Sequence, residues 1–372
     1  MNGGPTISID SMAHGGDGVG RRDGKAVFVM GAIPGDRVTV DVSEVHDRFD
    51  KGAVSGIVDR SPDRVTPVCP HFSDCGGCQW QMATYGAQLD WKRETVRSQL
   101  VHIGGLEVDV TATVAPGPPV SYRNRMDFRL VDGLPALNRA RSHDPVAISE
   151  CVLLVPHLAI LLEELEPLQG EHLTLRHGVN TGETVAFVDD EKPILHEAVF
   201  GHRFQITGRS FFQVNTAGAE HLVARVGALL EVRPDETLVD AYAGGGLFAA
   251  AVGAYAGEVV AIESNPAAIE DLKVNVPSAR IFDRKVHKAL REIDSVDLIV
   301  VDPPRQGLGA KVIERLVELR PRAIAYVSCD PASFARDARQ LVGAGYELDP
   351  VEPVDMFPQT YHTELIARFR LR

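Results

Sequence analysis

Five of the 372 residues are cysteines, and their spacing divides them into four and one. Cys69, Cys75 and Cys78 fall within ten residues of each other, and Cys151 follows far along the chain. The N-terminus shows no basic stretch leading into an apolar core, so a secretory leader is not expected. In a reducing compartment crowded thiols point to metal or cluster ligation rather than disulfides. Four thiolates suit an iron–sulfur cluster or a structural zinc ion, and spacing alone does not separate the two. Cys329 stands apart. It closes the apolar run 323–328 (AIAYVS) and precedes Asp330 and Pro331, a pair suited to the cap and first turn of a helix. A helix N-terminus is expected to draw the thiol toward thiolate, the form that attacks electron-poor carbon. The adjacent carboxylate opposes this unless capping holds Asp330 away. The alternative is an inert buried cysteine. An adduct on such a sulfur needs a base for its release. Glu364, ending the segment 356–364 (MFPQTYHTE), is the candidate, with His362 second. On sequence alone Glu364 could equally face solvent from a strand.

These side chains require a frame. From about residue 235, apolar runs alternate with helical patterns: TLVDAY then LFAAAVGAY, EVVAIE then PAAIEDLKVN, DLIVVD then AKVIERLVEL, AIAYVSC then PASFARDARQLV. That rhythm predicts a parallel sheet covered on both faces, with YELDPVEPVD and TELIARFRL adding strands at one side. Ligands of such sheets bind beyond the carboxyl ends of the strands. Three features fall there: the loop 240–246 (DAYAGGG) holding Tyr242 and Gly244, then Glu263, then Asp302. A glycine turn admits a ligand close to the backbone, and a carboxylate at the second strand end can accept from ribose hydroxyls. Singly, each fits NAD, FAD, S-adenosylmethionine, close packing or a helix cap. Their order predicts a nucleotide-type pocket.

Three parts are expected: 1–60, 61–200 and 201–372. The first reads as a small β-barrel, with strands at 26–30 (AVFVM) and 37–42 (RVTVDV) and the glycines of 15–20 in hairpin turns. Residues 61–83 read as a metal-holding loop and 84–101 as a helix that could pack on the catalytic part. About 105–200 reads as mixed strands and turns. No apolar run is long enough to span a bilayer, so a cytoplasmic monomer without an obligate protein partner is expected. The net charge of −13 argues against a nucleic-acid partner, but its distribution weakens that objection. Residues 143–200 hold 11 acids against 2 bases, whereas 84–142 hold 8 bases against 6 acids.

Together these residues resemble the RNA uracil-C5 methyltransferases, enzymes of ribosomal RNA and of the tRNA T-loop. The resemblance runs nearly end to end, through 210–215 (SFFQVN), DAYAGGG, 326–337 (YVSCDPASFARD) and MFPQTYHTE. It implies a class I, Rossmann-like α/β methyltransferase domain behind an N-terminal OB-like TRAM barrel and a central α+β iron–sulfur domain. It further implies S-adenosylmethionine as cofactor, contacted by Gln213, Tyr242, Gly244, Glu263 and Asp302. Cys329 becomes the nucleophile and Glu364 the base. Cys69, Cys75, Cys78 and Cys151 become ligands of a four-iron–four-sulfur cluster, in preference to zinc. RNA becomes the partner, and 122–125 (YRNR) a segment whose arginines could meet phosphates. Arg305 could orient the pyrimidine or shape the cofactor loop. The chain departs from the family pattern at Asp330, where asparagine is usual, at Leu247 and Ala243, and in a short stretch from 274 to 288. Two rival readings are a non-catalytic RNA-binding protein and a nucleotide-dependent iron–sulfur oxidoreductase.

Overall fold

The computed structural model describes residues 4–372. The chain opens with five strands that close on themselves in the order β1-β2-β3-β5-β4. They are β1 (Thr6–Met12), β2 (Gly18–Arg22), β3 (Lys25–Met30), β4 (Arg37–Val45) and β5 (Phe49–Asp59). Ile7, Ile9, Val27, Val29, Val38 and Val40 alternate inward and fill the barrel. Two glycines expected in turns, Gly18 and Gly20, lie instead within β2. The barrel is too tight there for a side chain: a Cβ on Gly20 would stand 2.2 Å from the Ser8 carbonyl oxygen, and one on Gly18 2.7 Å from that of Ala32. Asp36 is buried at the barrel's exit, takes N–H groups from Ile33 and Ser61, and pairs with Arg64 at 2.7 Å. Burial raises its carboxyl, but Arg64 and these N–H groups outweigh that and hold it below the ordinary range.

Beyond the cysteine loop come helix α1 (Tyr85–Gln99), which continues as a π-helical turn over Leu100–Gly104, and strands β6 (Arg125–Val131), β7 (Leu134–Asn138) and β8 (Pro145–Ala147). Helix α2 (Pro156–Glu163) and strands β9 (His172–His177) and β10 (Thr184–Val188) complete a five-stranded sheet in the order β10-β9-β6-β7-β8. The hairpin β11 (Ile194–Val199) and β12 (His202–Thr207) leads to helix α3 (Thr216–Leu230).

The rest is the expected alternation: β13 (Thr237–Ala241), α4 (Leu247–Ala251), β14 (Glu258–Glu263), α5 (Pro266–Asn275), β15 (Arg280–Asp283), α6 (Val286–Ala289), β16 (Leu298–Val301), α7 (Ala310–Leu319), β17 (Ala323–Ser328) and α8 (Pro331–Gly343). It closes with β18 (Tyr346–Leu348), β19 (Glu352–Val354) and β20 (Glu364–Leu371). The eight strands of this sheet run β15-β14-β13-β16-β17-β20-β18, with β19 also on β20. β13 to β17 are mutually parallel, and β20 enters antiparallel to β17. Apolar cores cover both faces.

Helix α1 lies with this sheet despite its early position. Val96, Leu100 and Val110 join the core beneath it, and isolated bridges tie Val110 to Val351 and Val114 to Val354. Lys92 is fully buried and donates to Asp355 at 2.6 Å and to the carbonyl of His362 at 2.7 Å. Removing one partner of such a pair costs about 3–5 kcal/mol, because it strands the other charge in the interior. Among the described residues no helix is long and apolar enough to cross a membrane.

Candidate active site

Beyond the carboxyl ends of the parallel strands opens a cavity of about 1320 Å³, bordered by every residue proposed from sequence for cofactor, metal or catalysis. Cys69, Cys75, Cys78 and Cys151 form one charge-coupled group on its border, Cys329 and Glu364 another, and Gln213, Tyr242, Gly244, Glu263 and Asp302 line it as well.

The glycine loop is built by backbone strain and backbone hydrogen bonds. Tyr242 has φ of 78°, and the N–H groups of Tyr242 and Ala243 both donate to Ile262 at 3.0 Å. Gly246 is left-handed at φ 94°, and a Cβ there would stand 2.7 Å from Val276. Glu263 is already engaged, accepting from Gly244 N–H at 2.9 Å and Asn265 N–H at 2.7 Å. Thus Glu263 clamps the loop as well as facing the cavity. Beneath the loop Asp240 accepts from Ala249 N–H at 2.8 Å, while its Oδ1 has no partner among the described residues. Burial, with smaller pushes from Asp302 and Glu263, raises the Asp240 carboxyl to about 7. Sequence reading passed over Asp240, although its place at the head of DAYAGGG was the available signal.

Gln213 is braced from behind by the segment expected to meet phosphates. Asn124 donates to the Gln213 carbonyl at 3.3 Å and to Thr216 at 2.9 Å. Arg125 donates to the Ser210 carbonyl at 3.1 Å, joined there by buried Arg176 at 2.9 Å. Arg125 therefore works inside the fold, which corrects the phosphate expectation for that residue; Arg123 does border the cavity. Phe211, also missed, is 62% exposed at the cavity edge.

Cys329 follows the last residue of β17, and Glu364 opens β20. β17 and β20 pair antiparallel with Ser328 opposite Leu365, and the next step of that register is Cys329 with Glu364. Directly opposed residues present their side chains to the same face. Loop 355–363 is held by α1: besides Lys92, Gln88 exchanges two hydrogen bonds with Gln359, at 3.0 and 3.1 Å. Asn215, the cap of α3, donates to Met356 O at 3.2 Å and so joins the SFFQVN and MFPQTYHTE segments.

The electrostatics overturn one expectation. The Cys329 thiol is pushed up to about 12, not down, by burial first and then by Glu364 and Asp302, with Arg305 only partly offsetting them. The expected pull of the α8 N-terminus does not prevail over this burial, and the Asp330 charge adds the smallest push of the acids named. Asp330 does cap, accepting from Ser333 N–H at 2.7 Å, and is held at about 2: burial raises it, but His14 and Ser333 dominate. Glu364 is raised well above the ordinary carboxylate range by burial and then by Asp302. Asp302 is raised to about 7 by burial. His362, whose Nδ1 lies 3.4 Å from Arg305, is driven down to about 4 by burial and then by Arg305. The surroundings of Cys329 gather acidic groups in a desolvated space, an arrangement suited to a cationic ligand.

In the other group burial raises the thiols of Cys75 and Cys151, and carries Cys78 to about 12 with further pushes from Cys151, Cys75 and Cys69. The Gly77 N–H points to the Cys75 sulfur at 3.3 Å. The sulfurs are near enough to feel one another but are not drawn into a cage. Among the described residues no three His, Cys, Asp or Glu side chains are placed to hold a metal ion.

Comparison with known proteins agrees with this layout. Residues 6–54 match the TRAM domain and residues 185–367 the tRNA (Uracil-5-)-methyltransferase family. An uncharacterized RNA methyltransferase of Thermosynechococcus vestitus is 32% identical, the match covering 97% of this chain and 96% of that protein. The 23S rRNA (uracil(1939)-C(5))-methyltransferase of Pectobacterium atrosepticum is 30% identical, covering 98% and 93%. The crystal structure of Pyrococcus abyssi tRNA (uracil-54, C5)-methyltransferase with S-adenosyl-L-homocysteine superposes with a TM-score of 0.77 at 26% identity, covering 98% of this chain and 100% of that one.

Proposed function

We propose how this chain works as what its relatives show it to be, a member of the RNA (uracil-C5) methyltransferase family. It transfers a methyl group from S-adenosylmethionine to carbon 5 of a uridine in ribosomal RNA or tRNA, with Cys329 as covalent nucleophile and Glu364 as base. The observation that supports the residue roles is that Cys329 and Glu364 leave the same end of the β17–β20 ladder and border one cavity.

S-adenosylmethionine supplies the methyl group as a sulfonium cation. Gln213, Tyr242, Gly244, Glu263 and Asp302 are the residues that would hold it. They fit in kind: the loop is free of side chains at Gly244 and Gly246, and the acidic wall suits a cation. A target uridine must leave its stack to reach the sulfur. Carbon 5 of uracil is a poor nucleophile. The Cys329 sulfur adds to carbon 6, and the displaced electron pair forms an enolate that makes carbon 5 nucleophilic. Once carbon 5 carries the methyl group, Glu364 takes its remaining proton. The electron pair returns, the carbon 6–sulfur bond breaks, and the ring and thiolate are restored. The raised Glu364 carboxyl makes its conjugate base strong enough for a carbon acid.

RNA carrying 5-fluorouridine tests this, because fluorine cannot leave carbon 5 as a proton does. With S-adenosylmethionine and ribosomal or transfer RNA transcripts, a covalent complex is expected, traced by mass spectrometry to the peptide containing Cys329. Methylation of ordinary RNA without any trapped complex on fluorinated RNA would overturn the covalent route.

Cys69, Cys75, Cys78 and Cys151 are the residues that would ligate a four-iron–four-sulfur cluster. In support, they come from two distant stretches of chain yet border one cavity and act on one another's charge. Such a group would pin the loop 61–83 to the central sheet; methyl transfer requires no electron from it. Anaerobic purification with iron and acid-labile sulfide determination is the direct check.

A further inference from the structure

The barrel is tethered to the catalytic sheet by a turn that ends beside the nucleophile. His14, between β1 and β2, places Nε2 3.0 Å from Asp330 Oδ2. A carboxylate only accepts, so that nitrogen carries the hydrogen. The other carboxylate oxygen takes the Ser333 N–H at 2.7 Å. Both oxygens of Asp330 are thereby engaged. Its charge bears on Cys329 less than the charges of Glu364 and Asp302, although Asp330 is the next residue in the chain.

The turn is built to stay there. Trp80, buried, donates to the Gly16 carbonyl at 3.1 Å, and Asp17 pairs with Arg141 at 2.5 Å. Gly16, at φ +88°, lies so close to Tyr361 that a Cβ would stand 2.7 Å from the ring. Between the turn and the catalytic sheet is a second cavity of about 170 Å³, bordered by His14, Gly15, Arg305, Cys329, Asp330 and His362 among others. Cys329 thus borders two cavities, and the barrel forms a wall of the smaller one.

We propose that His14 is a positioning residue for the nucleophile: it ties down the Asp330 carboxylate beside Cys329 and so makes barrel docking part of the active arrangement. The proposal rests on the reading of Cys329 as nucleophile. The groups facing that sulfur are Glu364 from β20, Asp302 beyond β16, Arg305, Asp330 and, across the small cavity, His14, Tyr361 and His362. His14 is the member supplied by the barrel.

The test reads the sulfur without requiring turnover. The full-length protein is treated with iodoacetamide at about pH 8, and the alkylation rate of the Cys329 peptide is followed by mass spectrometry. His14→Ala is expected to slow alkylation about three- to tenfold, because an unpartnered Asp330 charge opposes the thiolate. His14→Gln, which can still donate, is expected to keep the wild-type rate. Asp330→Asn in the His14→Ala background is expected to restore it. Wild-type alkylation in His14→Ala overturns the proposal, and so does a double variant as slow as His14→Ala. Failure of 5-fluorouridine trapping in the wild type would instead strike the nucleophile reading, and the alkylation series separates the two.

Discussion

Two groups of cysteine bordering one cavity meet the same physical problem in different company. Burial raises the Cys78 thiol in one and the Cys329 thiol in the other, each to about 12. Around Cys78 the further pushes come from three other thiols; around Cys329 they come from carboxyl groups. Under the proposed function, four thiols that push one another up would be relieved by a shared cation that stays, and one thiol among carboxyls by a cationic ligand that arrives and leaves. The proposal thus assigns a structural role to the first group and a chemical one to the second. Arg305 offsets part of the cost at Cys329, as Arg123 does at Cys151.

That contrast can be broken in order of expected effect. Cys329→Ser should lower single-turnover methylation by more than about a thousandfold and abolish the fluorouridine adduct, since an alcohol does not replace the thiolate. Glu364→Gln should allow the adduct but slow its release by about 10²–10⁴-fold, so a covalent RNA complex accumulates on ordinary RNA in denaturing gels. Lys92→Met should cost about 3–5 kcal/mol in urea unfolding, and pairing it with Asp355→Leu should recover much of that loss. Adduct formation should rise with pH between 6 and 9 by up to about tenfold per unit. The sign follows from the direction of the thiol's shift. The thiol is raised and must be deprotonated to add, so it loses the reactive form as pH falls, whereas the Glu364 carboxyl enters only at release. Cys78→Ser should lower bound iron and melting temperature while changing adduct formation by less than about tenfold. A larger loss there would mean the two groups are not separable.

Much of this was legible in the sequence because it depends on local period and order. The helices α5 and α7 begin and end where the apolar pattern does, and the acids at strand ends reach the cavity because parallel strands share a carboxyl edge. Short elements were missed: β15 and α6 have four residues each, too few for a period to register. The thiol's direction of shift was also hidden. It depends on Glu364 and Asp302, which only the folded sheet brings to Cys329. His14 with Asp330, 316 positions apart, and Lys92 with Asp355, 263 apart, leave no mark in any local pattern. The segment YRNR carried the opposite lesson. Two arginines in a strand-rich region suggest a phosphate contact, yet Arg125 is consumed in holding Ser210.

The antiparallel entry of β20 beside β17 has a consequence for how this site can vary. The proposed nucleophile and base both leave the end of a single ladder, whose side chains alternate sides with every residue. Chemical replacement of either partner leaves its neighbour in place. Adding or removing one residue between Glu364 and Leu365 would instead turn the carboxyl to the opposite side of the sheet unless a bulge absorbed the change. The place of Glu364 at the head of β20 is therefore under a counting constraint, stricter than any constraint on what most of that strand's residues are.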